Sequence, residues 1–324
     1  MLRLSSATFL ISLITAATAA TGCSSDSTTD IAAITDPEGG NIIFEYIYLD
    51  SNLQKAFGLP AGVTTVQRTM AYFSNGMTPE DNALPEPGQC NNLDATKGWP
   101  LFIGSGEQDL DVGTLTIAGA NKAGSDVTIT VPQMMNAKDQ IGRMHNTFYQ
   151  VVNPVADNFL KPDSAYTVSF GGAGSVKATD FTDGLYLPGD FQVSDPPFEN
   201  APALVGGTDY TVHWTPGTST LPTGPDYASH GGGVIGLTWL ADVTGSPTHM
   251  CPANHSDGMF TITGSTINEY KQVAQARGTD PTHALLLRQA VVHILNRLPN
   301  GDSKNKRRVD MLAIVCWVQL VAVN

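Results

Sequence analysis

Charge is scarce in this chain, and positive charge is the scarcest. Of 324 residues, 15 % are Asp, Glu, Lys or Arg, against roughly 25 % in an average soluble domain. Lys and Arg number 17 against 30 Asp and Glu, for a net charge of −13 at pH 7. Nucleic-acid binding needs clustered cations that release phosphate counterions, so no nucleic-acid partner is expected. The G-x-S-x-G nucleophile elbow of α/β-hydrolases is also missing, as is a parallel βαβ alternation. His230-Gly231-Gly232-Gly233 matches the oxyanion segment of some such enzymes, and here it reads as a glycine-rich turn before a strand. Asp109, Asp111 and Gly113 have the spacing that opens a calcium loop, but no glutamate follows at the closing position, which leaves a solvated turn. No catalytic arrangement can be argued from spacing, and the chain is read as non-catalytic, with no cofactor.

Long apolar runs are rare too. The last one, Met311 to Val323, is short of the roughly 20 residues a membrane helix needs and suits a buried central strand. Asp310 immediately before it and Gln319 within it oppose a membrane role. What the chain does have is 41 % hydrophobic residues, enough for a packed core and too many for a disordered chain. It also has 32 Gly and 20 Pro to punctuate short elements.

Residues 1–22 have the form of an export signal: Arg3, then an apolar and small-residue stretch around Phe9-Leu10-Ile11, then Ala20-Thr21-Gly22-Cys23. Small residues before a cysteine resemble the bacterial lipobox, in which the cysteine is acylated and becomes the first residue of the mature protein. Lipoboxes usually carry Leu where this chain has Ala20. Residues 23–40 follow as a tether, polar from Ser24 to Pro37. This segment predicts lipidation at Cys23 and a membrane partner engaged through the N-terminal lipid alone. It places the protein at the outer membrane, facing outward, with a periplasm-facing or freely secreted protein as the alternative.

Beyond the tether, short β-rich runs alternate with Gly, Pro, Asp and Asn clusters. Asn41–Leu49 places Phe44, Tyr46 and Tyr48 on one strand face. Similar runs are centred on 114–117, 126–131, 165–170, 209–214, 234–240, 259–263, 284–295 and 309–323. Two helices are expected. Residues 136–152 carry Ile141, Met144, Phe148 and Val151 at helical spacing, and Thr266-Ile267-Asn268-Glu269 forms a capping box for a helix closed by Gly278. The expected fold is all-β, with two antiparallel β-sandwich domains of immunoglobulin-like or jelly-roll-like type at 41–195 and 196–324, divided near Asp195-Pro196-Pro197.

Without Cys23, three cysteines remain: Cys90, Cys251 and Cys316. Cys316 alternates with Ile314, Val318 and Leu320 on an apolar strand and suits a buried thiol. Cys90 and Cys251 lie in turn-rich segments, and export into an oxidising compartment favours a bridge between them. The rival reading is an exported copper electron carrier. Cys251, His255 and Met259 have the C-x3-H-x3-M spacing of a cupredoxin-like loop, and His213 supplies an upstream imidazole. Trp214, Trp239, Tyr210 and Tyr270 are the candidates for a sugar-stacking platform, though core packing explains them more simply.

Several motifs taken together resemble the surface lipoproteins typical of myxobacteria and their relatives. They are Cys23, the Asp111-Val112-Gly113 strand entry, Tyr166-Thr167-Val168 running to Gly171-Gly172, Trp214-Thr215-Pro216-Gly217, and Cys251 with Asp257-Gly258-Met259-Phe260-Thr261-Ile262. The resemblance implies an exported β-sandwich protein and no particular activity. Envelope proteins or glycans are its expected contacts, in a structural, adhesive or ligand-binding role.

Overall fold

The computed structural model describes residues 38–56, 59–60, 63–75, 88, 90–92, 108–138, 144–155, 160–174, 176–189, 192–216, 232–238, 249–253, 257–276, 280–297 and 308–324. In chain order the elements are β1 (Glu38–Leu49), α1 (Ser51–Ala56), β2 (Thr65–Asn75), β3 (Asn91–Asn92), β4 (Gln108–Asp109), β5 (Leu115–Ala120), β6 (Asp126–Val131), β7 (Gln133–Lys138) and β8 (Met144–Val155). Then follow β9 (Ser164–Phe170), β10 (Thr179–Leu187), β11 (Gln192–Asp195), β12 (Tyr210–Thr215), β13 (Gly232–Thr238), β14 (His249–Ala253), β15 (Met259–Ile262), α2 (Gly264–Ala276), β16 (His283–Arg297) and β17 (Arg308–Ala322). The protein is mostly β.

A ten-stranded sheet runs in the order β3-β14-β13-β16-β17-β1-β2-β8-β7, with β4 also paired to β2. Its centre is β1, antiparallel to β2 and parallel to β17, with Phe44 opposite both Thr69 and Ala313. Directly paired residues share a face. Ile42, Phe44, Tyr46 and Tyr48 therefore line up with Ala71 and Phe73 of β2 and with Met311, Ala313 and Val315 of β17, all in one buried cluster. Gly40 sits opposite Phe73, and a Cβ there would lie 1.9 Å from the ring. Only glycine lets Phe73 lie across the strand.

Two smaller sheets, β10-β9-β5-β6 and β11-β12-β15, contribute to the same cluster. Alternation puts Leu115, Ile117, Tyr166, Val168 and Phe170 inward from the first. Phe170 meets Phe73 edge-on at 5.1 Å between ring centres, and Tyr166 lies 6.3 Å from Phe44. From the second, Tyr210, Val212, Trp214, Phe260 and Ile262 are buried.

The boundary expected near 195–196 does not partition the strands. The large sheet takes β1, β2, β3, β4, β7 and β8 from one side of it and β13, β14, β16 and β17 from the other, and the β1–β17 register runs unbroken from Gly39–Arg308 to Leu49–Val318. The strand β1 starts at Glu38, so residues 38–40 of the expected tether belong to a strand.

The helix expected over 136–152 is likewise corrected. Described residues there form the hairpin of β7 and β8, with Met134 opposite Phe148. In β8 Phe148 and Tyr149 are both buried on successive, opposite-facing positions, and Tyr149 pairs with Ala71 of β2. A sheet partner on each side overrides the helical spacing.

The second expected helix is present as α2, buried through Ile267, Tyr270 and Ala274, three and four residues apart. Its cap lies three residues earlier than the sequence suggests: the Thr266 N–H donates to Thr263 Oγ1 at 3.3 Å. Gly278 lies outside the described residues. The short α1 is capped by Asp50, whose Oδ1 accepts the Leu53 N–H at 2.8 Å while Oδ2 accepts the Leu320 N–H at 3.0 Å.

Candidate functional site

Cys23 and the rest of residues 1–37 lie outside the described residues. Among the described residues no helix is long and apolar enough to cross a membrane. Cys90 and Cys251 form a disulfide that joins positions 161 residues apart, and Cys316 is a buried thiol on β17.

That bridge corrects the copper alternative. The Cys251 sulfur is bonded to Cys90 and is no thiolate ligand. His213 does face Met259 directly, on β12 and β15, but Cys251 belongs to a different sheet, on β14. His255 lies outside the described residues. Among the described residues no group of three or more His, Cys, Asp or Glu is placed to hold a metal ion.

The sugar-stacking aromatics are core residues where they are described. Tyr210, Trp214 and Tyr270 are all buried, and Trp239 lies outside the described residues. Asp111 organises a turn: its Oδ1 accepts the Gly113 N–H and the Tyr149 O–H, each at 2.7 Å. Desolvation raises its carboxyl pKa, but these hydrogen bonds outweigh that and hold it below the usual range. Gly113 adopts φ +75°, and a Cβ would meet the Gly172 carbonyl oxygen at 2.8 Å. The Asp-Val-Gly spacing thus serves a tight crossing of two chain segments.

Among the described residues, the carboxylate, guanidinium and imidazole side chains buried within the large sheet are Glu45 with Arg68, Arg288 and His249. On the face of β1 opposite Phe44, the Glu45 carboxylate accepts from Arg68 Nε across the β1–β2 pair, with both side chains 1 % exposed. Burial raises the Glu45 pKa and outweighs the lowering effect of Arg68.

On the other face Arg288 of β16 sits beside Trp317 of β17. Its Nη2 donates to Gln319 Oε1 at 2.6 Å, and Gln319 Nε2 in turn donates to the carbonyls of Pro197 and Phe198. The segment after β11 therefore crosses the sheet as a strap. Phe198 packs edge-on against Trp317 at 4.8 Å between ring centres, and Glu199 accepts from the Ser51 backbone N–H and hydroxyl.

The third group is His249 of β14. It is fully buried, with Nε2 3.4 Å from Glu269 Oε2 of α2 and its ring 6.5 Å from that of Tyr270. Desolvation holds the His249 pKa below its ordinary value and outweighs the raising effect of Glu269. The unfolded chain therefore takes up a proton at a pH where the folded chain does not. Stability is complete above about pH 6.5, the ordinary histidine value, and declines as pH falls from there towards the lower folded pKa. Urea unfolding at pH 7.5 and pH 5.5 should show a stability loss in the wild type that His249→Gln reduces. An equal loss in both proteins would remove His249 from the account.

Sequence reading missed all three groups. Glu45 and Arg288 break otherwise apolar strands, EYIYL and LLLRQAVV, and that interruption was the available signal. No protein-family model matches the chain, and no curated protein is detectably similar to it.

Proposed function

We propose that this chain is a lipid-anchored protein of a Gram-negative cell envelope, of the kind the myxobacterial-type resemblance implies. Acyl chains on Cys23 hold it in the outer membrane, and its body faces outward. The β-rich body serves a structural, adhesive or ligand-binding role through contacts with envelope proteins or glycans, and it performs no catalysis. In this reading the two smaller sheets cover the large sheet as the outer leaves of two sandwich layers.

The observation that carries the proposal is the Cys90–Cys251 disulfide. Disulfides persist in oxidising, exported compartments and are rare in a reducing cytosol, which agrees with the export signal read at 1–22. Several acyl chains on one residue bury many CH₂ groups, at about 0.8 kcal/mol each, so anchoring through Cys23 would be effectively permanent. The test is cell fractionation with metabolic fatty-acid labelling. Wild-type protein is expected in the membrane fraction carrying label, and Cys23→Ser in the soluble fraction without it. A Cys23→Ser protein that stays with the membrane would refute the anchor.

A further inference from the structure

The outward face of the three-stranded sheet carries a row of three donor side chains. Val212, Trp214 and Phe260 are buried in the core, so alternation puts His213 of β12 and Met259 of β15 on the solvent side. These two residues are direct register partners, which sets their Cβ atoms about 4.5–5.5 Å apart. On the other flank of β12, the chain passes a bulge after Val193, and Asp195 then pairs directly with His213. Asp195 is exposed, His213 is half-buried and Met259 is 48 % exposed. A carboxylate, an imidazole and a thioether therefore stand side by side across β11, β12 and β15, with the imidazole in the middle.

The side chains of Asp195, His213 and Met259 make no hydrogen bond or ion pair among the described residues. The adjoining row on the same face is closed: the Thr211 and Thr261 hydroxyls bond each other at 2.9 Å, which ties β12 to β15 beside the His213–Met259 pair. The backbone thus holds the donors in place before any ligand arrives. Thioether and imidazole ligands together select a soft cation such as Cu(I), and one carboxylate balances its single charge. A hard cation such as Ca(II) takes about six to eight oxygen ligands, which this row does not offer. Cys251 is held in its disulfide, so no thiolate takes part, and the row differs from the cupredoxin-like loop in both ligands and sheet.

We propose that Asp195, His213 and Met259 form a surface binding site for a soft monovalent cation of the Cu(I) and Ag(I) class. An imidazole nitrogen and the thioether sulfur bind the ion, and Asp195 balances its charge. This goes beyond the envelope role proposed above and does not depend on the lipid anchor.

A titration with Ag(I), followed by NMR of carbon-13-labelled methionine methyl groups, tests the site on the full chain. Cys23→Ser and Cys316→Ala remove competing thiols. The Met259 methyl, assigned with Met259→Leu, is expected to shift first and to saturate at one equivalent, ahead of the exposed Met134 and Met135. His213→Gln should weaken the apparent Ag(I) affinity read at that methyl about tenfold or more, and Asp195→Asn about fivefold. Both substitutions lie on the outward face and leave the core intact, so the variants are expected to fold. Ca(II) should leave the Met259 methyl unmoved. A Met259 methyl that shifts no earlier than those of Met134 and Met135, that responds equally in His213→Gln, or that moves with Ca(II), would overturn the site.

Discussion

Arg68→Met is expected to destabilise the protein by about 3–5 kcal/mol, because it strands a carboxylate in the sheet interior. Glu45 is buried between Ile43 and Ile47 on β1, and its neighbours on the flanking strands include Met70 and Ile314, so no solvent compensates the lost guanidinium. The loss should grow with pH. Desolvation raises the folded-state pKa of Glu45 even with Arg68 present, and removing the cation raises it further. A raised acid pKa means the folded state holds the proton longer, so stability falls as pH climbs from about 4.5 through the folded value. The double variant Glu45→Leu with Arg68→Met should recover most of the deficit, since replacing a buried pair by apolar groups is often neutral or stabilising by about 1–4 kcal/mol. Urea midpoints of the three proteins decide this. A cost below about 1 kcal/mol for Arg68→Met would mean that the pair is hydrated and outside the core.

Loss of the disulfide is the second large effect. Cys90 and Cys251 enclose a loop set by a separation of 161 residues. In the chain-entropy picture, closing so long a loop in the unfolded state stabilises the fold by about 5 kcal/mol, with measured native bridges at about 2–5 kcal/mol. The bridge also secures β14, which pairs with β13 over five residues and with the two-residue β3 near the sheet edge. Cys90→Ala with Cys251→Ala should therefore lower the unfolding midpoint strongly, whereas Cys316→Ala, which removes only a buried sulfur, should cost about 1 kcal/mol, as small core truncations do. Equal stability of wild type and the double alanine variant would place the bridge in a segment that is not part of the cooperative unit.

How much of this was legible depended on whether the signal was local. Strands with one buried face announced themselves: Phe44, Tyr46 and Tyr48 alternate as expected, and β6 reads exposed and buried in turn from Thr128 to Val131. β2 was overlooked because both of its faces are buried, so Val66, Arg68 and Met70 on one side and Gln67, Thr69 and Ala71 on the other leave no alternation to detect. β8 carried a helical spacing that only its partners β2 and β7 overrule. The parallel β1–β17 pair joins the two ends of the described chain, and nothing near either strand specifies the other. That pairing, together with β3–β14 and β11–β12, is why a division at 195–196 does not partition the strands.

The chemistry followed the same rule. Cysteine counting and turn context were enough to pair Cys90 with Cys251. The polar groups were out of reach because each is completed by a residue 20 or more positions away: Glu45 by Arg68, Arg288 by Gln319, and His249 by Glu269. A lone Arg in LLLRQAVV does not reveal whether it is inward or outward until its register against Trp317 is known.

The most direct test of the envelope account is the mass of the mature N-terminal peptide from protein purified out of native membranes. The account predicts that the peptide begins at Cys23, followed by Ser24 and Ser25, and carries the added mass of a diacylglyceryl group on the thiol with a further acyl chain on the amine. A mature N-terminus at any other residue, or an unmodified Cys23, would contradict it.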